Sequence, residues 1–518
     1  MTASVTPSLT ETPLRPSQTA STPATALAAL VGAVVRGAPA QVTGITLRAQ
    51  QVLPGDLFAA LPSLTPGRPH GADFAGIALA AGAVAVLTDP AGAQRPALAG
   101  AAVPVLVHPH PRSVLGLVSA RVFGNPSTRL AVLGITGTSG KTTTTYLLRA
   151  GLQAAGATIG LLGTVQLRIG DQQLPVTGTT PEAPELQALL ALMLERGVTH
   201  VPLEVSSHAL ALDRVAATAF AAGAFTNLSQ DHLDFHTDLE DYFAAKARLF
   251  DGRAGIEVVC IDDAWGRRLV TPAGITVSIN SSHATWNARG IAAQPDGTQC
   301  FRACGPGGLQ VPVTLRLPGR FNVANALLAL AIGHATGADP VLLARGISTT
   351  EVPGRMQRVT AGQDFLAVVD YAHKPAAVAA LLEAVRAQVT RRLLVVLGCG
   401  GDRDTGKRPL MGAEVVRRAD LLVVTDDNPR TEDPAAIRAA MLAGARAGRA
   451  GAEVVEIADR AEAIAYAVRR AGPGDAVVVA GKGHETGQQV HGSTYPFSDV
   501  EVLTRALLDR STGGSSVR

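Results

Sequence analysis

The stretch "GITGTSGKTTTT", Gly134 to Thr145, sets a lysine and a threonine behind a glycine-rich turn. Within it Gly137, Thr138, Ser139, Gly140, Lys141, Thr142 and Thr143 form a loop able to turn backbone N–H groups onto phosphate oxygens. Glycine permits the close approach, and the N-terminus of a following helix favours an anion. Lys141 adds a point charge, and the Thr142 hydroxyl can bind Mg2+. The common phosphate-loop template asks for glycine where Ile135 stands, yet the Gly-Lys-Thr end that carries the chemistry is intact. "VTHVPLEVSSH" reads as a strand ending in Glu204, placed to hold Mg2+ at the strand's C-terminal end. "FTNLSQDHLDFH" offers Asn227, Asp231, His232, Asp234 and His236. Taken alone, His232 reads equally as a loop histidine, because Mg2+ prefers oxygen. Lys246, in "YFAAKARLF", reads alone as a surface lysine on a helix.

Such groups need strands that end near one another. "AVLGITG" is a buried strand, followed by the loop and by a helix through "KTTTTYLLRAGLQAAG", the context that makes a phosphate loop credible. Farther on, "RLLVVLGCGG", "ADLLVVTDDNPR" and "DAVVVAGKGHE" are apolar runs that end in polar or glycine-rich loops. That pattern predicts a parallel sheet whose strand ends carry a site. Upstream, "AGIALAAGAVAVLTD" and its neighbours form a small α/β module, closed by the linker-like "FGNPSTRL".

At 518 residues and 47% hydrophobic content the chain needs more than one core. No long uncharged apolar run stands out, so no membrane insertion is expected. Basic and acidic residues number 45 and 42, and aromatics are 4%, which argues against a nucleic-acid partner. Cys260, Cys300, Cys304 and Cys399 are expected to be reduced, as in a cytosolic protein. Residues 1–25, rich in Ser, Thr and Pro, read as a disordered tail with no signal-peptide pattern, and 511–518 read the same way.

The ordered set "GITGTSGKTTTT", "TTPEAPEL", "EVSSHAL", "FTNLSQDHLDFH", "YFAAKARLF", "GRFNVANALLAL", "VPGRMQRV", "VVDYAHKPAA", "GCGGDRDTGKRPLMG", "DDNPRTEDP" and "AGKGHE" resembles the Mur ligase family. Within that family it is most similar to the members that add a diamino acid to UDP-MurNAc-L-Ala-D-Glu. The likeness covers roughly residues 40–508. It implies an α/β fold of three domains: a UDP-binding domain at 26–127, a central P-loop ATPase-type parallel sheet at 128–350, and a C-terminal Rossmann-like ligase domain at 351–510. It also implies a cytoplasmic, ATP-dependent ligase of peptidoglycan synthesis, working through an acyl phosphate and expected to be monomeric. By the family pattern one Mg2+ sits with Thr142 and Glu204, and a second with His232 and a carbamylated Lys246. Lys141 faces the transferring phosphate. Asn322, Asn325, Arg355, Asp370 and His373 would line the adenosine side. Thr179, Thr180, Ser206 and Arg214 would hold the UDP-substrate. Arg403, Asp427, Asn428, Pro429, Arg430, Gly481 and Glu485 would bind the diamino acid.

Arg430 bears on which diamino acid. In the family "DNPR" goes with meso-diaminopimelate, whose second carboxylate suits a planar guanidinium. L-ornithine and L-lysine, which lack that carboxylate, are the alternatives. The chain departs from the family pattern at Arg48, Ala49 and Gln50, where many members have Asp-Ser-Arg, at Leu212, where some have glutamine, and at Gln357, where Glu is usual. The paired "DNPR" and "GKGHE" segments argue against other ligases of the superfamily. A catalytically dead nucleotide-binding regulator is the rival of another class, and the joint presence of Lys141, Glu204, His232 and Lys246 argues against it.

Overall fold

The computed structural model describes residues 14–175, 178–448 and 451–513. The described residues form two compact units, one up to Thr136 with Gly156–Gly223 and Ala245–Ile256, the other made of Gly137–Ala155, Ala224–Ala244 and the part from Glu257 on. Both are α/β.

In the first unit a five-stranded sheet runs in the order Val34–Arg36, Val105–Val107, Ala85–Thr88, Asp56–Ala60, Gly44–Thr46. Only the first pair is antiparallel. Leu57 and Leu87 enter the core on one face, Phe58 and Val86 that on the other, as alternation along a strand requires. A second set of strands contains His200–Glu204 and Ala131–Thr136, paired in parallel with Glu204 opposite Ile135. Glu204 therefore closes its strand beside the point where its neighbour leaves for the phosphate loop.

The tail expected over 1–25 differs from what is found. Residues 1–13 lie outside the described residues. Arg15 Nη2 donates to Asp56 Oδ2 at 2.8 Å, and Ser17 N to Glu195 Oε2 at 2.7 Å. Thr22–Pro23 pairs with Gln41–Val42, and a helix starts at Ala24. Composition reads a Ser/Thr/Pro segment as unable to fold by itself; here it is held by partners far along the chain. At the other end, the helix Asp499–Gly513 runs into the expected 511–518 tail, of which 514–518 lie outside the described residues.

In the second unit the loop leads into the helix Lys141–Ala154. Strands Trp286–Ala293, Gln299–Cys304 and Gln310–Leu315 form an antiparallel meander. A six-stranded sheet follows the order Gln357–Arg358, Leu366–Asp370, Ala476–Ala480, Leu393–Leu397, Leu421–Val424, Glu453–Glu456. All but its first pair are parallel. Val395 joins helices Pro375–Arg386, Lys407–Val416 and Pro434–Ala447 in one core, and Val396 joins Arg460–Arg470 and Asp499–Gly513 in another. A doubly wound sheet of this kind gathers its loops at the carboxyl ends of the strands. Among the described residues no helix is long and apolar enough to cross a membrane, and the four cysteines are free.

Candidate active site

The phosphate loop is shaped by its glycines and pinned by one asparagine. Gly137 and Gly140 have φ of 143° and 89°, in the region that glycine enters freely. A Cβ on Gly140 would lie 2.4 Å from Asn325 Oδ1. Asn227 accepts from Ser139 N (3.0 Å) and Thr138 N (2.8 Å), and its amide donates to Ser139 O (3.1 Å). Lys141 Nζ donates to the carbonyls of Gly137 (2.8 Å) and Thr138 (3.1 Å). The ammonium thus lies over its own loop, and the helix that starts at Lys141 carries a positive dipole end there.

Groups distant in sequence join this loop. Arg355 Nη2 donates to Thr142 Oγ1 at 3.2 Å while its guanidinium stacks on the Tyr371 ring, 4.3 Å from the centroid. Asn325 Oδ1 lies 3.5 Å from Thr144 Oγ1, and Asn325 donates to Asn322 at 3.2 Å. Lys374 Nζ reaches Thr138 O at 3.1 Å and Asp231 Oδ2 at 2.7 Å, and His232 Nε2 lies 3.0 Å from the same carboxylate oxygen. Burial raises the Asp231 carboxyl, but Lys374 and His232 outweigh it and hold the acid well below the usual range. Asp370 goes the other way: burial raises it, although Arg355 and the N–H groups of Met356 and Ala372 favour its charged form. His373 is kept neutral by burial, aided by Lys407 and Lys374.

In the first unit Glu204 is almost fully buried. Its carboxylate accepts from Thr164 N and Thr164 Oγ1, both at 3.0 Å, and its carbonyl from Thr180 Oγ1 at 2.8 Å. Thr179 touches Thr164, and Ser206 N donates to Thr180 at 3.1 Å. Arg214 donates to Thr180 O at 3.3 Å, and its Nε lies 2.9 Å from Glu182, which also holds Arg112 at 3.2 Å. Arg48, one of the departures from the family pattern, lies 3.6 Å from Glu185, and Ala49 is buried. Gln357 takes over a structural duty, accepting from Gly354 N at 2.8 Å.

A third cluster is built from loops that follow strands of the six-stranded sheet and from the hairpin Gly487–Val490 with Ser493–Pro496. Arg430, at φ 54°, donates through Nη1 to Gly401 O (2.6 Å) and through Nε to Gln489 Oε1 (3.2 Å). Two residues earlier, Asn428 Nδ2 donates to Glu485 Oε2 at 2.8 Å. Gly481, at φ 116°, lets Asp427 close in: a Cβ there would lie 2.4 Å from its Oδ2. Lys482 is fully buried against Asn428 and Glu485. Pro429 O lies 2.0 Å from where a Cβ on Gly401 would be, so that glycine cannot be replaced without a shift. Arg403 is half exposed, 4.0 Å from Asp234.

The expected residues therefore assemble as three groups. Gly137–Thr143 stands with Asn227, Asn322, Asn325, Arg355, Asp370, His373, Asp231 and His232. Glu204 stands with Thr179, Thr180, Ser206 and Arg214. Asp427, Asn428 and Arg430 stand with Gly481 and Glu485. Of the eight non-glycine residues with positive φ among those described, five are His232, Arg430 or the neighbours of Arg214, Arg355 and Arg403. Left-handed backbone thus recurs beside expected site residues in both units. Lys246 is 1% exposed, which corrects the reading of it as a surface lysine. His236 is buried too, 3.3 Å from Asp241. Thr164, Glu182, Lys374 and Lys482 were not foreseen, although Glu182, Lys374 and Lys482 lie within the quoted motifs.

The donor chemistry accommodates the implied Mg2+ in part. Thr142 and Glu204 supply hydroxyl and carboxylate oxygens, which suit a hard cation. Lys246 is buried, and a carbamate there would add an oxygen donor. Among the described residues no three His, Cys, Asp or Glu side chains cluster as a ready metal site.

Comparisons with known proteins fall on the same segments. Residues 41–122 match the Mur ligase family catalytic domain, 135–333 the Mur ligase middle domain, and 354–483 the Mur ligase glutamate ligase domain. The chain is 53% identical over 470 residues to the UDP-N-acetylmuramoyl-L-alanyl-D-glutamate–2,6-diaminopimelate ligase of Corynebacterium efficiens, covering 88% of each. It is 50% identical over 504 residues to the enzyme of that name from Streptomyces coelicolor, covering 96% of this chain and 98% of the other. A solved structure of a ligase of the same name is 34% identical, with a TM-score of 0.64, covering 91% of this chain and 96% of the other. The MurF ligase of Thermotoga maritima in complex with ADP, 18% identical with a TM-score of 0.61 and covering 90% and 96%, shares the fold.

Proposed function

Because the chain belongs to the Mur ligase family, we propose that it is an ATP-dependent, ADP-forming amide ligase that adds meso-diaminopimelate to UDP-MurNAc-L-Ala-D-Glu. The work belongs to peptidoglycan synthesis in the cytoplasm, and the chain is taken as a monomer with domains at 26–127, 128–350 and 351–510. The observation that carries the choice of substrate is Arg430, whose guanidinium is held by Gly401 O and Gln489 beside the Asn428–Glu485 pair. An arginine fixed in this way matches a second carboxylate, and Glu485 matches the distal ammonium. L-lysine and L-ornithine offer the ammonium alone.

The γ-phosphoryl group of ATP passes to the D-Glu γ-carboxylate, giving ADP and an acyl phosphate. The diamino acid's amine then attacks the acyl carbon and loses a proton, and inorganic phosphate departs with the electrons of the C–O bond. Carboxylate and triphosphate repel each other, so preplaced positive charge is the main requirement. Lys141 and the N-terminus of the helix that starts there supply it. Arg355, which touches Thr142 and is stacked on Tyr371, adds a fixed guanidinium on the nucleotide side. Asn322, Asn325, Asp370 and His373 complete that side. Thr179, Thr180, Ser206 and Arg214 hold the UDP-substrate; Arg403, Asp427 and Gly481 complete the diamino-acid pocket. Thr142 and Glu204 would hold one Mg2+, and His232 and carbamylated Lys246 another. When bound, the ions offset phosphate charge.

Phosphate release by the purified protein with ATP, Mg2+ and UDP-MurNAc-L-Ala-D-Glu tests the reading, with meso-diaminopimelate, L-lysine or L-ornithine added in turn. A response to meso-diaminopimelate alone is expected. A response to lysine or ornithine instead keeps the ligase and overturns the role of Arg430, and silence with all of them favours a nucleotide-binding regulator. For the carbamate, Lys246→Ala is expected to lose activity and to regain part of it with short-chain carboxylic acids; full activity without them counts against it.

A further inference from the structure

Lys482 has no role in the chemistry described so far, yet its side chain is fully buried. Nζ donates to Asn428 Oδ1 at 2.9 Å and to Glu485 Oε2 at 3.0 Å, with Asp427 Oδ1 at 4.0 Å. Asn428 Nδ2 donates to that same Oε2 at 2.8 Å, and Asn428 Oδ1 also accepts from Gln489 N at 3.0 Å. The amide can sit only one way round, because a flip would set its NH2 against an ammonium and an N–H. Glu485 is thereby gripped through one oxygen by two donors. Charge matters as much as shape. Asp427 and Glu485 are two anions, and Lys482 cancels one of them.

Resting on the ligase reading above, we propose that Lys482 is a positioning residue that sets which diamino acid is accepted. It balances Glu485, as Arg430 balances Asp427, so the pocket carries no net charge, and it leaves a single carboxylate oxygen of Glu485 for the incoming ammonium. That balance suits a side chain whose end carries both an ammonium and a carboxylate. Without Lys482 the pocket bears one net negative charge, which favours an end that is ammonium alone.

The test is steady-state phosphate release by the full chain with Lys482→Met and Lys482→Arg, varying ATP, meso-diaminopimelate and L-lysine separately. For Lys482→Met the KM for meso-diaminopimelate should rise roughly tenfold or more. The ratio of kcat/KM for L-lysine to that for meso-diaminopimelate should rise, and the KM for ATP should stay within about twofold, as expected when only a diamino-acid contact is lost. Lys482→Arg keeps the charge, so its ratio should return toward that of the wild type. A lysine that serves stability alone would leave the ratio and the diamino-acid KM unmoved, and that result overturns the proposal. If Lys482→Met fails to fold, Lys482→Gln removes the same charge; an unchanged ratio and KM for meso-diaminopimelate there overturn it too. A wild type silent with every diamino acid overturns the ligase reading itself, a separate outcome.

Discussion

The phosphate loop and the C-terminal cluster solve recognition in opposite ways. The loop is nearly local: seven consecutive residues with two left-handed glycines lead into a helix start that presents positive charge, and Asn227 holds the loop by taking up the Thr138 and Ser139 N–H groups. The C-terminal cluster is assembled from strand ends far apart in sequence, and it presents side chains held by other side chains. A site made of backbone tolerates little change in conformation and serves any phosphate. A site made of side chains can be retuned residue by residue, and that is where a preference among diamino acids belongs.

The contrast can be broken at several points. Lys141→Ala should slow turnover the most, raising the barrier by about 3 kcal/mol, as for loss of one preorganised charge donor; near-normal phosphate release would remove Lys141 from the mechanism. Gly140→Ala should cost about 2 kcal/mol of stability, because it combines φ of 89° with a Cβ 2.4 Å from Asn325 Oδ1. Thermal unfolding checks this, and an unchanged Tm would mean the loop is less tightly fixed than its glycines suggest. Arg430→Lys should leave Tm alone and raise the KM for meso-diaminopimelate by about tenfold, some 1.5 kcal/mol of lost charged hydrogen bonding. An equal rise in the KM for ATP would erase the distinction between the two regions.

A further effect concerns pH. Burial, then Arg355, pushes His484 from 6.5 down to about 3. Its folded-state value is below its unfolded one, so the unfolded chain binds the proton first. Stability is full above about pH 6.5 and falls as pH drops toward 3, by about 1.4 kcal/mol per pH unit at most for one proton. Denaturant titrations at several pH values should show that slope flattened in His484→Gln; an unaltered slope would assign the acid sensitivity to other groups.

What sequence reading captured follows the same divide. The loop, Glu204 at a strand end, and the order of apolar runs that build the parallel sheet were all legible, because glycine spacing and strand periodicity are local signals. The multi-domain α/β architecture was legible for the same reason. The partners of Lys374 and Thr164 were not, since each is set by residues far away in sequence, and Lys482 bonds Glu485 three residues on but also Asn428, far back in the chain. Lys246 shows the limit well. Its helix, Leu239–Ala247, has a nearly balanced composition, and nothing in the local pattern says which turn faces inward. Only the resemblance to a family lifted that lysine from the surface. Gln357 was noted as a departure without a consequence; its bond to Gly354 N gives the glutamine a use that needs no charge.

The contact between Arg15 and Asp56 has a practical side. Asp56 is 1% exposed and lies inside a five-stranded sheet, and the cation beside it comes from a stretch that composition alone would mark for trimming. A shortened version beginning at Ala24 would strand that carboxylate and strip Glu195 of its Ser17 contacts. Laboratories that shorten such leaders to improve expression or crystallisation would be removing a fastener, and the damage would surface as a misbehaving amino-terminal sheet while the phosphate loop still looked sound.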